Sequence, residues 1–352
     1  MKPKSRRSPS YQAGFTLVEI MVGLAIGMLA TMVIMQVFTV FEAQKRTTTG
    51  TADAQTNGSI ALYNIGRELQ MAGYPLIPAT DSPLECTTLT INGIADATLP
   101  NRLSPAIIAD GGAAAGASDT ITFRYGNSLM GGIPTQITAM GAPTANDATV
   151  GSNLGCQAGD ITLITNGTTC AMSSANAVAG TTTITLADTT AAITGANLAC
   201  LGAWNEITYA VNNGNLGRTV APNIAVPSVV GIVNLQAQYG VSAAANSNQV
   251  TQWVDASGAT WAAPSVANRN RIKAIRIAVV ARNAKIEPTA VTTACSSLTA
   301  AAPTGLCAWA GSVASPAPAI NLSNDPNWAR YRYRVFETII PLRNVIWSKD
   351  TL

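Results

Sequence analysis

The residue in the most unusual chemical setting is Glu19, which lies in the otherwise apolar run AGFTLVEIMV at residues 13–22. An ionisable side chain inside a membrane segment is costly to keep there, so it is a candidate functional group by default. Whether Glu19 is such a group depends on the element that carries it.

The apolar run is long enough to cross a bilayer. Residues 15–41 contain no charged side chain except Glu19, and a helix of this length measures about 40 Å. The hydrocarbon core of a bilayer is about 30 Å thick. Cations and no acidic residues precede the run, which favours a cytoplasmic N-terminus and translocation of everything after Phe41. These cations are Lys2, Lys4, Arg6 and Arg7.

The position of Gly14 argues against an ordinary secretory signal, whose small-residue cleavage site follows the apolar run. The string GFTLVE at 14–19 resembles the cleavage and methylation motif of type IV pilins and pseudopilins. The resemblance implies that a prepilin peptidase cuts after Gly14, removes residues 1–14 as a leader and methylates Phe15. It also implies that Glu19 pairs with the α-amine of a neighbouring subunit, which offsets part of the desolvation of both ions. The alternative is a plain signal-anchor with a glutamate tolerated near the membrane surface.

Composition gives little support to catalysis. The chain has no histidine, which excludes histidine-dependent catalysis and most zinc sites. Asp119 and Asp160 precede strand-like runs, where aspartate ordinarily caps or turns the chain. We therefore predict no enzyme, no catalytic residue, no metal site and no cofactor. Loss of the four leader cations lowers the formal net charge from +3 to −1, which does not indicate a general nucleic-acid-binding protein.

All the cysteines follow the apolar run, in the part predicted to be translocated, and disulfides persist in an oxidising periplasm. Close spacing predicts local loops that pair Cys156 with Cys170 and Cys295 with Cys307. The two remaining cysteines, Cys86 and Cys200, are then predicted to form the third disulfide.

The helix that begins near Phe15 is predicted to continue to about Ala72, with residues 15–41 as the membrane or filament half and 42–73 as an amphipathic continuation. Gly73 and Pro75 stop it. The polar residues 47–59 have poor helix propensity, which predicts a bend or a melted segment there. An apolar stripe of helical period in the second half suits packing on a folded head. It consists of Leu62, Ile65, Leu69 and Ala72.

Residues 74–352 read as a disulfide-containing, β-rich head. Short alternating runs indicate strands, and Asn213–Gly214 suits a tight hairpin turn. The predicted fold class is α+β, with a long N-terminal pilin helix packed on a mostly antiparallel β head. Three segments rich in Ala, Gly and Thr are predicted to be long loops, at 104–118, 131–153 and 241–263. The predicted strands lie in TITFRYG, DITLIT, TTTITLA, WNEITYAVNNGNLGRTV, VVGIVNLQAQYGV, RIKAIRIAVVARN and YRYRVFETIIPLRN.

Four segments sharpen the resemblance. YNIGRELQMAGY, LQAQYGV, IKAIRIAVVARN and YRYRVFETIIPLRN resemble, in this order, recurring segments of PilW-type minor pilins. This implies a minor pilin that helps to initiate type IV pilus assembly and lies at or near the pilus tip. Its implied partners are other minor and major pilins, contacted through the helix, the prepilin peptidase, and a tip adhesin as a further candidate. The implied location is the inner membrane, single-pass with a periplasmic head, and then the pilus.

Two other functions are considered. One is a J-type pseudopilin of type II secretion, and the other is a pilus subunit whose head binds DNA or a surface. For DNA, five cations cluster near one strand, and arginines alternate with tyrosines in another. Alternation puts the two residue types on opposite faces, which favours a solvated basic face over an aromatic core rather than a mixed stacking groove. The cations are Arg269, Arg271, Lys273, Arg276 and Arg282, and the alternating run contains Arg330, Arg332 and Arg334 with Tyr331 and Tyr333.

Overall fold

The chain forms two compact units, residues 1–50 and residues 51–352. The computed structural model describes residues 14–76, 86, 88–92, 94–95, 103–141, 144–167, 169–189 and 192–347. Of the predicted leader, only Gly14 is among them. The described helices are α1 (Leu17–Leu69), α2 (Gly258–Trp261), α3 (Val266–Arg269) and α4 (Arg343–Trp347), with a 3-10 turn at Trp328–Arg330.

The strands all belong to the second unit. In chain order they are β1 (Thr88–Ile91), β2 (Ile94–Ala95), β3 (Ala106–Ala109), β4 (Thr120–Tyr125), β5 (Thr135–Met140), β6 (Asp147–Val150), β7 (Ile161–Thr165), β8 (Thr169–Ala179), β9 (Thr183–Leu186), β10 (Asn197–Gly202), β11 (Asn205–Asn212), β12 (Asn215–Val220), β13 (Val226–Val230), β14 (Ile232–Ser242), β15 (Val250–Val254), β16 (Ile272–Ile286) and β17 (Tyr331–Pro341).

These strands form three sheets. One has the order β13-β12-β11-β4-β3, and a second has the order β15-β14-β16-β17. In the third, β5 to β10 form a closed ring of pairings, because β8 also pairs with β9; we call these six strands the closed lobe. Strands β1 and β2 extend from β8 outside the ring. Among the described strand pairs only β1–β8 is parallel, so the predicted antiparallel α+β head is confirmed.

The closed lobe has a core of its own. Each of its strands contributes to one buried cluster, in which alanine is frequent and Ile137, Ile164 and Leu198 are fully buried. Small and branched side chains together fill the limited interior of a ring of six strands. The lobe therefore adds a second hydrophobic core to the head.

The second half of α1 belongs to the main core of the head. Ala54, Ala61, Ile65 and Leu69 are buried together with residues of the five-stranded and four-stranded sheets. Burial of each large aliphatic side chain contributes about 1.5–3 kcal/mol. The predicted stripe is confirmed, since Ala72 is also buried and Leu62 packs against the same cluster.

The prediction of a melted segment within residues 47–59 is wrong, because α1 is helical without interruption from Leu17 to Leu69. The Thr47 and Thr48 hydroxyls donate to the carbonyls of the residues four earlier, each at 3.0 Å. Further on, Gly58 lies directly against the Phe336 ring. Such threonine hydroxyl bonds do not strengthen a helix, so it is tertiary packing that overrides weak helix propensity in this segment.

Every predicted strand segment contains a strand of the structure. The predicted hairpin is confirmed, with Asn213 at φ 50° and Gly214 at φ 73° between β11 and β12. The predicted loops are wrong in part. Segment 104–118 contains β3, segment 131–153 contains β5 and β6, and segment 241–263 contains β15 and α2. Their alanines and threonines lie in short strands of low hydrophobicity, in which apolar and polar residues do not alternate clearly.

The cysteines pair as Cys86–Cys170, Cys156–Cys200 and Cys295–Cys307. The third pair is as predicted, whereas the predicted pairs Cys156–Cys170 and Cys86–Cys200 are wrong. In the β7–β8 hairpin Cys170 lies opposite Thr165, near the turn, while Cys156 precedes the other end of β7. Strands rise about 3.4 Å per residue, so these two cysteines lie farther apart than the roughly 7 Å that a disulfide spans.

The close contact between α1 and β17 predicts opposite effects of the same substitution at two helical glycines. A Cβ at Gly58 would overlap the Phe336 ring, whereas a Cβ at Gly66 would meet Ile340 at an ordinary 3.6 Å. Gly66→Ala should stabilise the head by up to about 1 kcal/mol through helix propensity. Gly58→Ala should destabilise it by about 1–3 kcal/mol through overpacking. Urea unfolding of both variants in micelles measures this, and equal stabilisation by both would contradict the packing.

Candidate assembly site

The start of α1 is a reciprocal capping arrangement. The Thr16 backbone N–H and its hydroxyl both donate to Glu19 Oε2 at 2.9 Å, and the Glu19 N–H donates to Thr16 Oγ1 at 3.3 Å. A threonine with a glutamate three residues later is the capping box that satisfies free N–H groups at a helix start. Glu19 therefore has a role within its own chain. Phe15, which directly precedes Thr16, is 85% exposed.

The first half of α1 exposes its apolar surface. Its large apolar side chains between Phe15 and Phe41 are 47–85% exposed. By length and composition α1 is the one described helix that could span a membrane. Beyond the apolar run, Glu42 and Arg46 form an exposed ion pair at 2.9 Å, and such a pair contributes little stability. The apolar half is thus suited to lipid or to other helices.

The other end of α1 carries a buried carboxylate. Glu68 accepts from Arg218 Nε at 3.1 Å and from Arg218 Nη2 at 2.8 Å, and Tyr209 Oη donates to it at 3.0 Å. Glu68 is 8% exposed, and loss of one partner of a buried pair costs about 3–5 kcal/mol. Burial and the Glu68 charge raise the pKa of the Tyr209 hydroxyl well above its ordinary value. This cluster attaches the end of α1 to β11 and β12.

The cations considered above as a nucleic-acid surface make contacts within the head. Arg269 is 3% exposed and Lys273 is 1% exposed, and Lys273 Nζ donates to the Ala245 carbonyl at 2.8 Å. Burial lowers the pKa of both groups, that of Arg269 to about 10. The remaining guanidinium groups stand over aromatic rings. These contacts are Arg271 over Trp261 (5.5 Å), Arg276 over Trp309 (4.5 Å) and Arg282 over Tyr331 (4.6 Å).

The alternation of arginine and tyrosine in β17 has the predicted geometry. Arg332 and Arg334 are exposed, and Arg332 Nε donates to Glu287 Oε1 at 2.9 Å. Tyr333 packs on a hydrophobic cluster beneath the segment of the third disulfide, and its hydroxyl donates to the Trp328 carbonyl at 3.0 Å. The predicted solvated face is therefore confirmed for Arg332 and Arg334, whereas it is wrong for Arg269 and Lys273, which are buried.

Two family models match the chain. The model described as Type IV Pilus-assembly protein W matches residues 207–344, and the model described as Prokaryotic N-terminal methylation motif matches residues 9–35. Together the two matches support a PilW-type minor pilin of the type IV pilin family. No curated protein and no solved structure matches it.

The two matches divide the chain into matched and unmatched parts. Residues 207–344 begin in β11 and end in α4, so they cover the four-stranded sheet and most of β11 to β13 of the five-stranded sheet, whereas β3 and β4 lie outside the match. The closed lobe, from Thr135 to Gly202, lies outside both matches. A pilin is a structural component of the pilus, and membership implies interaction with other pilins and processing by a prepilin peptidase.

Sequence reasoning missed Glu68 as an anchoring residue of this pilin. The signal was its place on the buried stripe, since Glu68 lies between Ile65 and Leu69. A carboxylate on an apolar helix face requires a partner, but the partner, Arg218, is distant in sequence. The pairing could not be read from the chain alone.

Asp119 and Asp160 have the structural roles predicted for them. Asp160 Oδ2 accepts from the Gln157 N–H at 2.8 Å in a turn. Asp119 accepts from the backbone N–H groups of Gly111 at 2.9 Å and Ala237 at 2.7 Å, which connects a loop to β14. Burial raises the pKa of the Asp119 carboxyl to about 7, although these two donors act in the opposite direction.

The raised pKa of Asp119 predicts a pH dependence of stability. Between the ordinary value of 3.8 and about 7, the folded chain keeps a proton that the unfolded chain has released, so the free energy of unfolding falls as pH rises. Over this range the Asp119 carboxyl lowers the free energy of unfolding by at most about 1.4 kcal/mol for each pH unit. Asp119→Asn should lose a hydrogen bond, costing about 1–3 kcal/mol, and should remove that slope. Urea unfolding across this pH range measures both effects, and an unchanged slope in the variant would contradict the assignment.

Proposed function

We propose that this PilW-type pilin helps to initiate type IV pilus assembly and lies at or near the pilus tip. The observation that carries the proposal is the exposed apolar half of α1, which has Glu19 as its single charge and directly follows the prepilin motif. In this proposal the protein is held in the inner membrane until assembly, with its head in the periplasm. The three disulfides of the head suit that compartment.

The first step is processing at the start of the helix. A prepilin peptidase cuts after Gly14 and methylates the new amine of Phe15. Glu19 then pairs with the α-amine of a neighbouring subunit and fixes the axial register between the two helices. Both Thr16 contacts use Glu19 Oε2, so within the described part of the chain Oε1 is left for the neighbour's ammonium group. Pairing removes the cost of placing an isolated carboxylate among apolar helices.

A terminal position suits the enlarged head. The closed lobe adds a second core beside the sheets that hold α1. A subunit in the middle of a filament has neighbours above and below its head, whereas a subunit at the tip has neighbours on one side only. The added volume meets less steric restriction at the tip, where a tip adhesin is a further candidate partner. DNA binding has less support, because most cations of the predicted patch are buried or stacked on rings.

Substitutions at Glu19 distinguish its proposed pairing with the neighbouring subunit's α-amine from its role in capping its own helix. Glutamine can replace glutamate in a capping box, but it carries no charge. Glu19→Gln and Glu19→Ala should therefore both be processed and reach the inner membrane, and both should reduce filament number. The measurement is filament count by electron microscopy in strains that carry each variant as the only copy, with Thr16→Ala as the control that weakens the cap and keeps the charge.

Wild-type filament numbers with Glu19→Gln, and a defect with Thr16→Ala, would show that capping alone matters. Normal filament numbers in a complete deletion strain would reject the initiation role. If that strain instead failed in protein secretion, the J-type pseudopilin function would replace the proposal.

A further inference from the structure

A cavity of about 330 Å³ lies where the closed lobe and the adjoining β1 meet the five-stranded sheet. One wall comes from β1, β7 and β8, and the other comes from the start of β11 and the end of β12. Clefts between packed substructures are common sites for small ligands. Ile91, Ile161 and Met172 give the cavity an aliphatic wall, and the partly exposed Trp204 faces it.

The described lining residues offer a ligand no net charge. Its carboxylate, Glu206, accepts from Arg124 Nε at 2.6 Å, and the Arg124 side chain is only 8% exposed. Because Arg124 neutralises its charge, Glu206 does not attract a cationic ligand, and its carboxylate oxygens do not donate hydrogen bonds to an anion. A single carboxylate is also too few ligands for a divalent ion. The occupant that fits is neutral.

The remaining polar groups are hydrogen-bonding groups. Asn92 and Ser173 line the cavity with Glu206. Ser173 follows Met172 in β8, so its side chain points to the opposite face of the strand, where its Oγ accepts from the Asp188 N–H at 2.9 Å. An aromatic face beside amide and carboxylate groups matches a molecule that has one apolar face and a rim of hydroxyls.

We propose that this cavity binds one neutral pyranose unit of a glycan. The C–H face of the sugar packs on Trp204 and the aliphatic wall, and its hydroxyls bond to Glu206 and Asn92. Seven of the nine lining residues lie outside the segment matched as Type IV Pilus-assembly protein W, which begins at residue 207, and Ala221 and Pro222 lie inside it. The proposed site does not depend on the tip location proposed above.

The test is saturation-transfer NMR on the full chain in micelles of a detergent without a sugar headgroup. The probes are the methyl pyranosides of glucose, galactose and N-acetylglucosamine, with indole as the apolar comparison. Two variants change the cavity without removing core packing. Ala221→Phe adds a ring at an exposed lining position, and Asn92→Gly removes an amide while keeping a backbone with φ 46°. Tyr63→Ala, which removes an exposed aromatic ring on α1, is the matched control.

At least one pyranoside should show saturation transfer to its ring C–H protons. Ala221→Phe should abolish this signal, Asn92→Gly should raise Kd about tenfold through a lost hydrogen bond, and Tyr63→Ala should leave it unchanged. No signal for any pyranoside with the wild-type chain would overturn the proposal. So would a signal that survives Ala221→Phe, or binding of indole alone that Ala221→Phe abolishes.

Discussion

Small side chains allow the second half of α1 to approach the head sheets closely. Ala54, Gly58 and Ala61 bring the helix against β17 and its neighbours, and Ile65 and Leu69 then fill the main core. The five-stranded and four-stranded sheets both contribute to that core, so each depends on the helix for part of its burial. The head of this pilin is therefore completed by the same helix that carries the assembly motif.

The two halves of α1 face different physical requirements. The second half exchanges water for a packed protein interior, where Glu68 is tolerated because Arg218 and Tyr209 satisfy its oxygens. The first half presents apolar side chains without such a core, so its burial must come from lipid or from the helices of other pilins. Glu19 is the carboxylate of the first half, as Glu68 is of the second. Within the described part of the chain Glu19 accepts hydrogen bonds from Thr16, which cap the helix but supply no positive charge.

Local patterns predicted most of the framework. The prepilin motif, the buried helical stripe and the alternating strands all depend on residues close in sequence, and the structure contains the stripe and the strands. Distant pairings could not be predicted. Cys156 meets Cys200 rather than Cys170 because the β7–β8 hairpin sends Cys170 to the opposite end. The strands β5 and β6 were missed because threonine, alanine and polar residues give them little hydrophobic contrast. Helix propensity misjudged residues 47–59, where packing on Phe336 outweighs a poor composition.

The central claim is that the head requires α1 from Thr51 onward and does not require the apolar half before it. The most direct measurement is thermal unfolding, with disulfide mapping, of two chains that begin at Thr51 and at Leu76. The first should be soluble without detergent, unfold cooperatively and contain the three disulfides of the full chain. The second should lack cooperative unfolding because the main core loses its helix. Cooperative unfolding of the chain that begins at Leu76, at the same temperature as the longer chain, would contradict the account.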